Sequence, residues 1–159
     1  MEVVVGMGDM KIARGDSVLA TYALGSCVGV CMYDDELGIG GMLHAMLPKS
    51  KDIMNLTNPE RYVNTGIQKL YQFLCSHGAR PGYIKAKVVG GAKMFEFRTS
   101  MGGEDIGSEN VKQVHMTLKE LGIPLVWEVT GGTVGRTIHF DISTQKVHIR
   151  STDLSEEII

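Results

Sequence analysis

The sequence has no Gly-Lys dipeptide and no Gly-x-Gly-x-x-Gly, so it carries neither a phosphate loop nor a dinucleotide fingerprint. Cys-x-x-Cys and His-Glu-x-x-His are missing too, which removes the recognisable dithiol and zinc sites, and no metal is expected. No run reaches the ~18 uninterrupted apolar residues of a membrane span. The opening Met-Glu-Val-Val-Val-Gly has no basic leading region of the kind a secretory signal needs, so neither export nor membrane insertion is expected. With 16 basic against 18 acidic residues the net charge is −2, which offers phosphate no general field and argues against nucleic acid as a partner. Cysteine is scarce and odd in number: Cys27, Cys31 and Cys75 predict reduced thiols and a cytoplasmic protein. Cys27 and Cys31 could not bridge within one strand, where four residues span ~13 Å against a limit of about 7 Å.

What is present is a globular composition. At 159 residues and 43% hydrophobic content the chain is read as one domain, 1–159, with no linker. A chain of this size hides roughly 69% of its unfolded surface, enough for a core without staples.

Residues 2–6 and 17–23 are rich in Val, Leu, Thr and Tyr and predict strands. Val28 to Asp34 and Ile39 to Leu47 predict a hairpin around Asp35-Glu36-Leu37-Gly38. A first helix is expected from an Asn58 cap and Pro59 to Gly78, with Val63, Ile67, Leu70, Tyr71 and Leu74 as its buried stripe. Tyr83 to Val89 reads as a strand. The second helix is expected from a Ser108 cap to Leu121, ended by Gly122 and Pro124. After a strand at Leu125 to Thr130, a last hairpin pairs Phe140 with Val147, His139 with His148 and Asp141 with Lys146. The strand-Gly-Gly pattern at Gly90-Gly91 and Gly131-Gly132 hints at a weak duplication. The fold class expected is α+β: a mixed, largely antiparallel sheet, open to a two-layered arrangement, with two helices packed on it.

One stretch can carry chemistry. Gly25-Ser26-Cys27-Val28-Gly29 resembles a nucleophile elbow with cysteine in the serine place, but a true elbow leads into a helix and Val28 onward reads as strand. Hairpin geometry says more. A two-residue turn at Asp35-Glu36 would set Cys27 directly opposite His44, with β-carbons ~4.5–5.5 Å apart on one face. That is reach enough for a thiol–imidazole pair. An imidazolium neighbour favours thiolate, and lowering a thiol from pKa ~8.5 to near 6 would leave it mostly ionised at neutral pH. Thr21 offers a hydroxyl for the second His44 nitrogen, the orienting role in a triad. A small buried cysteine beside a packed histidine stays open as the plain alternative at this point.

Most other candidates read as structure. Cys31 and Cys75 belong to the core, as do Met42 and Met46. His77 suits the negative end of a helix dipole. His139 and His148 form a solvated pair, and His115 has no partner that the sequence names.

Five blocks in order resemble one known family. They are Leu24-Gly25-Ser26-Cys27-Val28, Gly41-Met42-Leu43-His44-Ala45-Met46-Leu47-Pro48, Gly90-Gly91-Ala92-Lys93-Met94-Phe95, Ile106-Gly107 with Asn110, and Gly131-Gly132-Thr133-Val134-Gly135-Arg136. Together they look like the chemoreceptor glutamine deamidase family, CheD, over roughly residues 2–150. The resemblance implies a cysteine hydrolase, a protein-glutamine glutaminase of bacterial chemotaxis, that converts receptor glutamines to glutamates without a cofactor. It places the nucleophile on Cys27, the acid/base on His44 and the orienting threonine on Thr21, with backbone N–H groups of Ser26 and Cys27 as expected oxyanion donors. Its implied partners are the cytoplasmic helices of methyl-accepting chemoreceptors and a CheC-type phosphatase. The alternative is a regulatory adaptor with weak or lost catalysis. One departure shows: Glu109 stands where the family usually has Arg, reversing a charge near the start of the second helix.

Overall fold

In the computed structural model, residues 1–51, 57–94 and 105–159 are described. Phe95, the last residue of the third family-like block, lies outside them. Among the described residues, ten strands and two α-helices follow in chain order. They are β1 (Glu2–Val4), β2 (Asp9–Arg14), β3 (Val18–Leu24), β4 (Val28–Asp34), β5 (Ile39–Ala45), α1 (Val63–Ser76), β6 (Ile84–Gly90), α2 (Ile106–Leu121), β7 (Leu125–Thr130), β8 (Arg136–Asp141), β9 (Lys146–Ser151) and β10 (Glu156–Ile158).

The described strands form two five-stranded sheets, the two-layered form of the expected α+β arrangement. The first has the order β1-β3-β8-β9-β10 and the second β2-β5-β4-β6-β7. Among the described strands, β1–β3 and β6–β7 pair in parallel and the other pairs are antiparallel, so both sheets are mixed and largely antiparallel. Between the sheets lies a core of Leu19, Leu24, Cys31, Tyr33, Met42, Ile138 and Phe140. The opposite face of the second sheet packs Val30, Met32 and Leu43 against Ile67, Leu70, Leu74, Val114 and Leu118 of the two helices. The second sheet is therefore the middle of three layers. That is why all seven residues of β4 and of β5 are buried and neither shows polar alternation. Glycines bring the sheets close: a Cβ on Gly29 would stand 2.8 Å from Ile138 Cδ1.

The β8–β9 register is the expected one, Phe140 to Val147 and His139 to His148. Helix starts differ from expectation. Pro59 opens a single 3₁₀ turn, and α1 begins only at Val63 after an extended Tyr62, so Asn58 caps nothing with its side chain. α2 begins two residues before Ser108, because Asp105 is the cap: its carboxylate accepts the Ser108 amide at 3.2 Å. Gly122, in the left-handed region at φ 71°, ends it.

The β4–β5 turn is a correction. Asp34 pairs with Ile39, which leaves a four-residue loop, Asp35 to Gly38, in place of a two-residue turn. The Asp34 carboxylate accepts the Glu36 amide and is gripped by Arg80 through its backbone and guanidinium, and Gly38 closes the loop at φ 60°. Gly29, not Cys27, is thus the residue opposite His44. The displacement is two residues, so parity is kept, and Cys27 packs on the same inter-sheet core as Cys31 and Met42, the side to which His44 points.

Candidate active site

The site sits where the chain crosses from one sheet to the other. β3 ends at Leu24 in the first sheet and β4 begins at Val28 in the second, so Gly25-Ser26-Cys27 is the crossing. Two amides hold it from below: Gly91 N–H donates to the Cys27 carbonyl and Ala92 N–H to the Gly25 carbonyl, both at 2.9 Å. Gly90 must be glycine, since its φ is 120° and a Cβ would lie 2.3 Å from the Cys27 oxygen. The two Gly-Gly pairs are spatial neighbours at the C-terminal ends of the parallel strands β6 and β7, and Gly131 N–H donates to the Gly90 carbonyl at 3.0 Å.

Thr21 lies on β3, just before a bulge. The β3–β8 register slips by one between Thr21 and Leu24, with Ala23 at φ 58°. This slip lets Leu19, Thr21 and Leu24 all face the second sheet. Thr21 Oγ1 lies 2.7 Å from the Val5 carbonyl and 2.7 Å from His44 Nδ1. A carbonyl can only accept, so the single hydroxyl proton goes to Val5, and the hydroxyl oxygen must accept from Nδ1–H. That assigns the tautomer: the proton sits on Nδ1, and Nε2 carries a free lone pair. Nε2 is buried and has no hydrogen-bond partner among the described residues.

Electrostatics here are governed by burial. His44 is 1% exposed, and desolvation lowers its pKa to about 4, so the ring is neutral at physiological pH. Cys27 is half-buried, and burial pushes its thiol up, against a smaller lowering by its own backbone amide. The resting pair is therefore thiol and neutral imidazole, which differs from the thiolate–imidazolium pair that neighbourhood alone suggests. The thiol and Nε2 are not hydrogen-bonded in this free form. The arrangement suits a base that takes the thiol proton as attack proceeds.

Beside the crossing lies a cleft of about 230 Å³ lined by Ser26, Ala92, Lys93, Met94 and Asp105 to Gly107. Glu109, half-buried in the first turn of α2, lines a separate groove of about 410 Å³ with Lys49 and Lys51. Asn110, cited in the sequence only as part of a block, is buried with its side chain donating to the Ser26 and Met46 carbonyls. Those partners are 84 and 64 residues away, and no local pattern announces them. Arg136 is also buried, reaching across the sheets to the Gly90 carbonyl at 3.3 Å.

The remaining candidates stand apart from the site. Cys31 is buried between the sheets, and Cys75 packs beside Tyr71 against the helix-side core. His77 leans on Phe73, and His139 pairs with Glu2 at 3.0 Å. His115 has a partner after all, Glu128 at 2.8 Å. No helix among the described residues is long and apolar enough to cross a membrane.

Comparison with known proteins places the chain in context. The profile of a family described as CheD chemotactic sensory transduction matches residues 46–151. A Thermococcus kodakarensis protein named probable chemoreceptor glutamine deamidase CheD is 45% identical over 94% of this chain and 92% of its own. Proteins of the same name from Pyrococcus abyssi (44% identical, 94% of this chain and 91% of that one) and Clostridium botulinum (41%, 99% and 98%) are similar over nearly their whole length. Among solved structures, the Bacillus licheniformis hypothetical protein YfiH aligns over 77% of this chain with a TM-score of 0.49 and 15% identity, and this chain spans half of its length.

Proposed function

Because the chain belongs to the CheD chemotactic sensory transduction family, we propose that it is a chemoreceptor glutamine deamidase with Cys27 as nucleophile, His44 as acid/base and Thr21 as the orienting residue. The observation that carries this reading is the Thr21–His44 hydrogen bond, which leaves a buried, unpartnered Nε2 on the face shared with Cys27.

The chemistry follows from that tautomer. A receptor glutamine side chain enters the cleft, and Cys27 Sγ attacks its amide carbon while His44 Nε2 takes the thiol proton. The amide oxygen gathers negative charge. The Ser26 and Cys27 amides are the proposed donors to it, and neither is taken up by a backbone acceptor among the described residues. One aligned donor of this kind contributes about 3 kcal/mol. Thr21 Oγ1 accepts from Nδ1–H throughout and steadies the transient imidazolium. Burial makes that cation a strong acid, so it readily passes its proton to the departing nitrogen. The C–N bond breaks, ammonia leaves, and a thioester remains on Cys27. Water, deprotonated by Nε2, then attacks the thioester carbon, and the sulfur leaves to regain a proton. The product is glutamate, one negative charge richer, which fits a role in chemotaxis adaptation. No cofactor is needed for any step.

The proposed substrates are the cytoplasmic helices of methyl-accepting receptors, met in the cytoplasm, and a CheC-type phosphatase is the proposed regulatory partner. Ammonia release from a receptor cytoplasmic fragment tests the reading. Release by the parent protein and none by Cys27→Ala supports it. No release by the parent protein would leave the receptor-binding adaptor as the better description.

A further inference from the structure

The ladder that joins the two catalytic strands stops short of the site. Its last β4–β5 pair is Val28 with Ala45, so Cys27 and Met46 lie beyond the final rung. The Met46 amide turns away and donates to the Arg61 carbonyl at 2.9 Å. Gly91 and Ala92 hold the crossing from the β6 side, but among the described residues no β4–β5 rung ties it to Met46.

Asn110 spans that gap. Its Nδ2 donates to the Ser26 carbonyl at 2.9 Å and to the Met46 carbonyl at 3.1 Å. Both partners can only accept, so the orientation of the amide group is fixed by chemistry. Ser26 immediately precedes the nucleophile, and Met46 follows His44 by two residues. The helix that carries Asn110 is itself clamped to the third segment of the site, for a Cβ on Gly107 would lie 2.4 Å from the Ala92 oxygen. Asn110 keeps its Oδ1 buried and without a partner among the described residues. The cost of that orphan acceptor is set against two donated bonds, and an apolar side chain here would strip both carbonyls of their Asn110 donor.

We infer that Asn110 is a positioning residue: it replaces the missing rung of the ladder and sets the separation of the Cys27 thiol from His44 Nε2. The inference rests on the Cys27–His44 reading of the reaction and assigns Asn110 no contact with substrate.

The test uses Asn110→Ala, Asn110→Ser and, as a control, Thr117→Val. Thr117 is buried on the same helix and bonded to Gln113 within it, so the control disturbs α2 without touching the site. Two readouts are needed: kcat and KM on a receptor fragment, and the pH profile of iodoacetamide alkylation at Cys27, followed on its peptide. Asn110→Ala should lower kcat at least ~10-fold with KM within about two-fold of the parent. Its alkylation profile should lose the assistance that neutral His44 gives by taking the thiol proton as sulfur attacks, and so move onto that of His44→Ala, with Asn110→Ser intermediate. Thr117→Val should melt earlier and keep the parent kcat and profile. An Asn110→Ala protein that melts earlier but keeps kcat and the alkylation profile overturns the inference. Failure of both Asn110 variants to fold overturns it as well, because the residue then serves the fold. If the parent protein does not deamidate the fragment, the functional reading fails, while the alkylation arm still decides the role of Asn110.

Discussion

Thr21 has one hydroxyl proton, and Val5 takes it; the orientation of His44 follows from that single fact. Thr21→Val keeps the shape and removes the acceptor, leaving Nδ1–H buried and unpaired. The cost expected is about 1–3 kcal/mol of stability, and the tautomer that frees Nε2 loses its support. Turnover should fall at least ~10-fold, while Thr21→Ser should recover most of it. Steady-state kinetics beside thermal melts measure both, and a Thr21→Val enzyme at full speed would remove Thr21 from the mechanism. His44 gives a pH prediction at the same scale. With a pKa near 4 it is a competent base across the neutral range, so the acid limb of kcat/KM should lie near 4 rather than near 6.5. A limb at 6.5 would mean that the ring is solvated before substrate arrives.

At the scale of elements, the crossing between sheets depends on its supports. Gly90→Ala adds a Cβ against the Cys27 carbonyl at a φ that side chains avoid, and should cost roughly 3 kcal/mol. Chemical denaturation measures that loss, and a neutral Gly90→Ala would contradict the packing described. Some elements were legible in the sequence for plain reasons. Ile138, Phe140, Val147 and Ile149 alternate because one face of β8 and β9 is buried and the other is open, so that register could be read directly. The α1 stripe was legible because solvent covers the rest of the helix. β10 was not, since Glu156 to Ile158 are all exposed and bury nothing that would leave a pattern. β4 and β5 are covered on both faces, so no alternation in their sequence marks the pairing or the turn length. Asp34 and Arg80, 46 positions apart, hold open a four-residue loop that no local pattern announces. A loop two residues longer than a tight turn keeps parity, and with it the shared side of Cys27 and His44. The bridge made by Asn110 and the neutral resting state of the pair were beyond the sequence. Each depends on burial created by distant segments.

At the scale of the molecule, the three-layer packing that hides His44 also makes the fold sensitive to acid. The folded state holds this histidine near 4 and the unfolded chain near 6.5. Between those values the unfolded chain binds more protons, so stability is complete above about 6.5 and is lost as pH falls toward 4, by about 3 kcal/mol. Asp34 acts lower down. Its hydrogen bonds from Arg80 hold its pKa at about 2, so its contribution is present above the ordinary carboxylate range and disappears as pH falls through about 2. Denaturation at a series of pH values should therefore show a first decline between 6.5 and 4 that His44→Asn flattens. A second decline, below 4, should persist in that variant. A His44→Asn protein with an unchanged slope between 6.5 and 4 would contradict the burial argument.

The central claim is that one sulfur does the work on a receptor side chain with one imidazole as its proton carrier. Mass spectrometry of a receptor cytoplasmic fragment tests it most directly, because exchanging an amide for an acid leaves a defined mass increment on each converted glutamine. The account predicts that increment at selected glutamines with the parent protein and at none with Cys27→Ala or His44→Ala. Conversion by Cys27→Ala at the rate of the parent would contradict it.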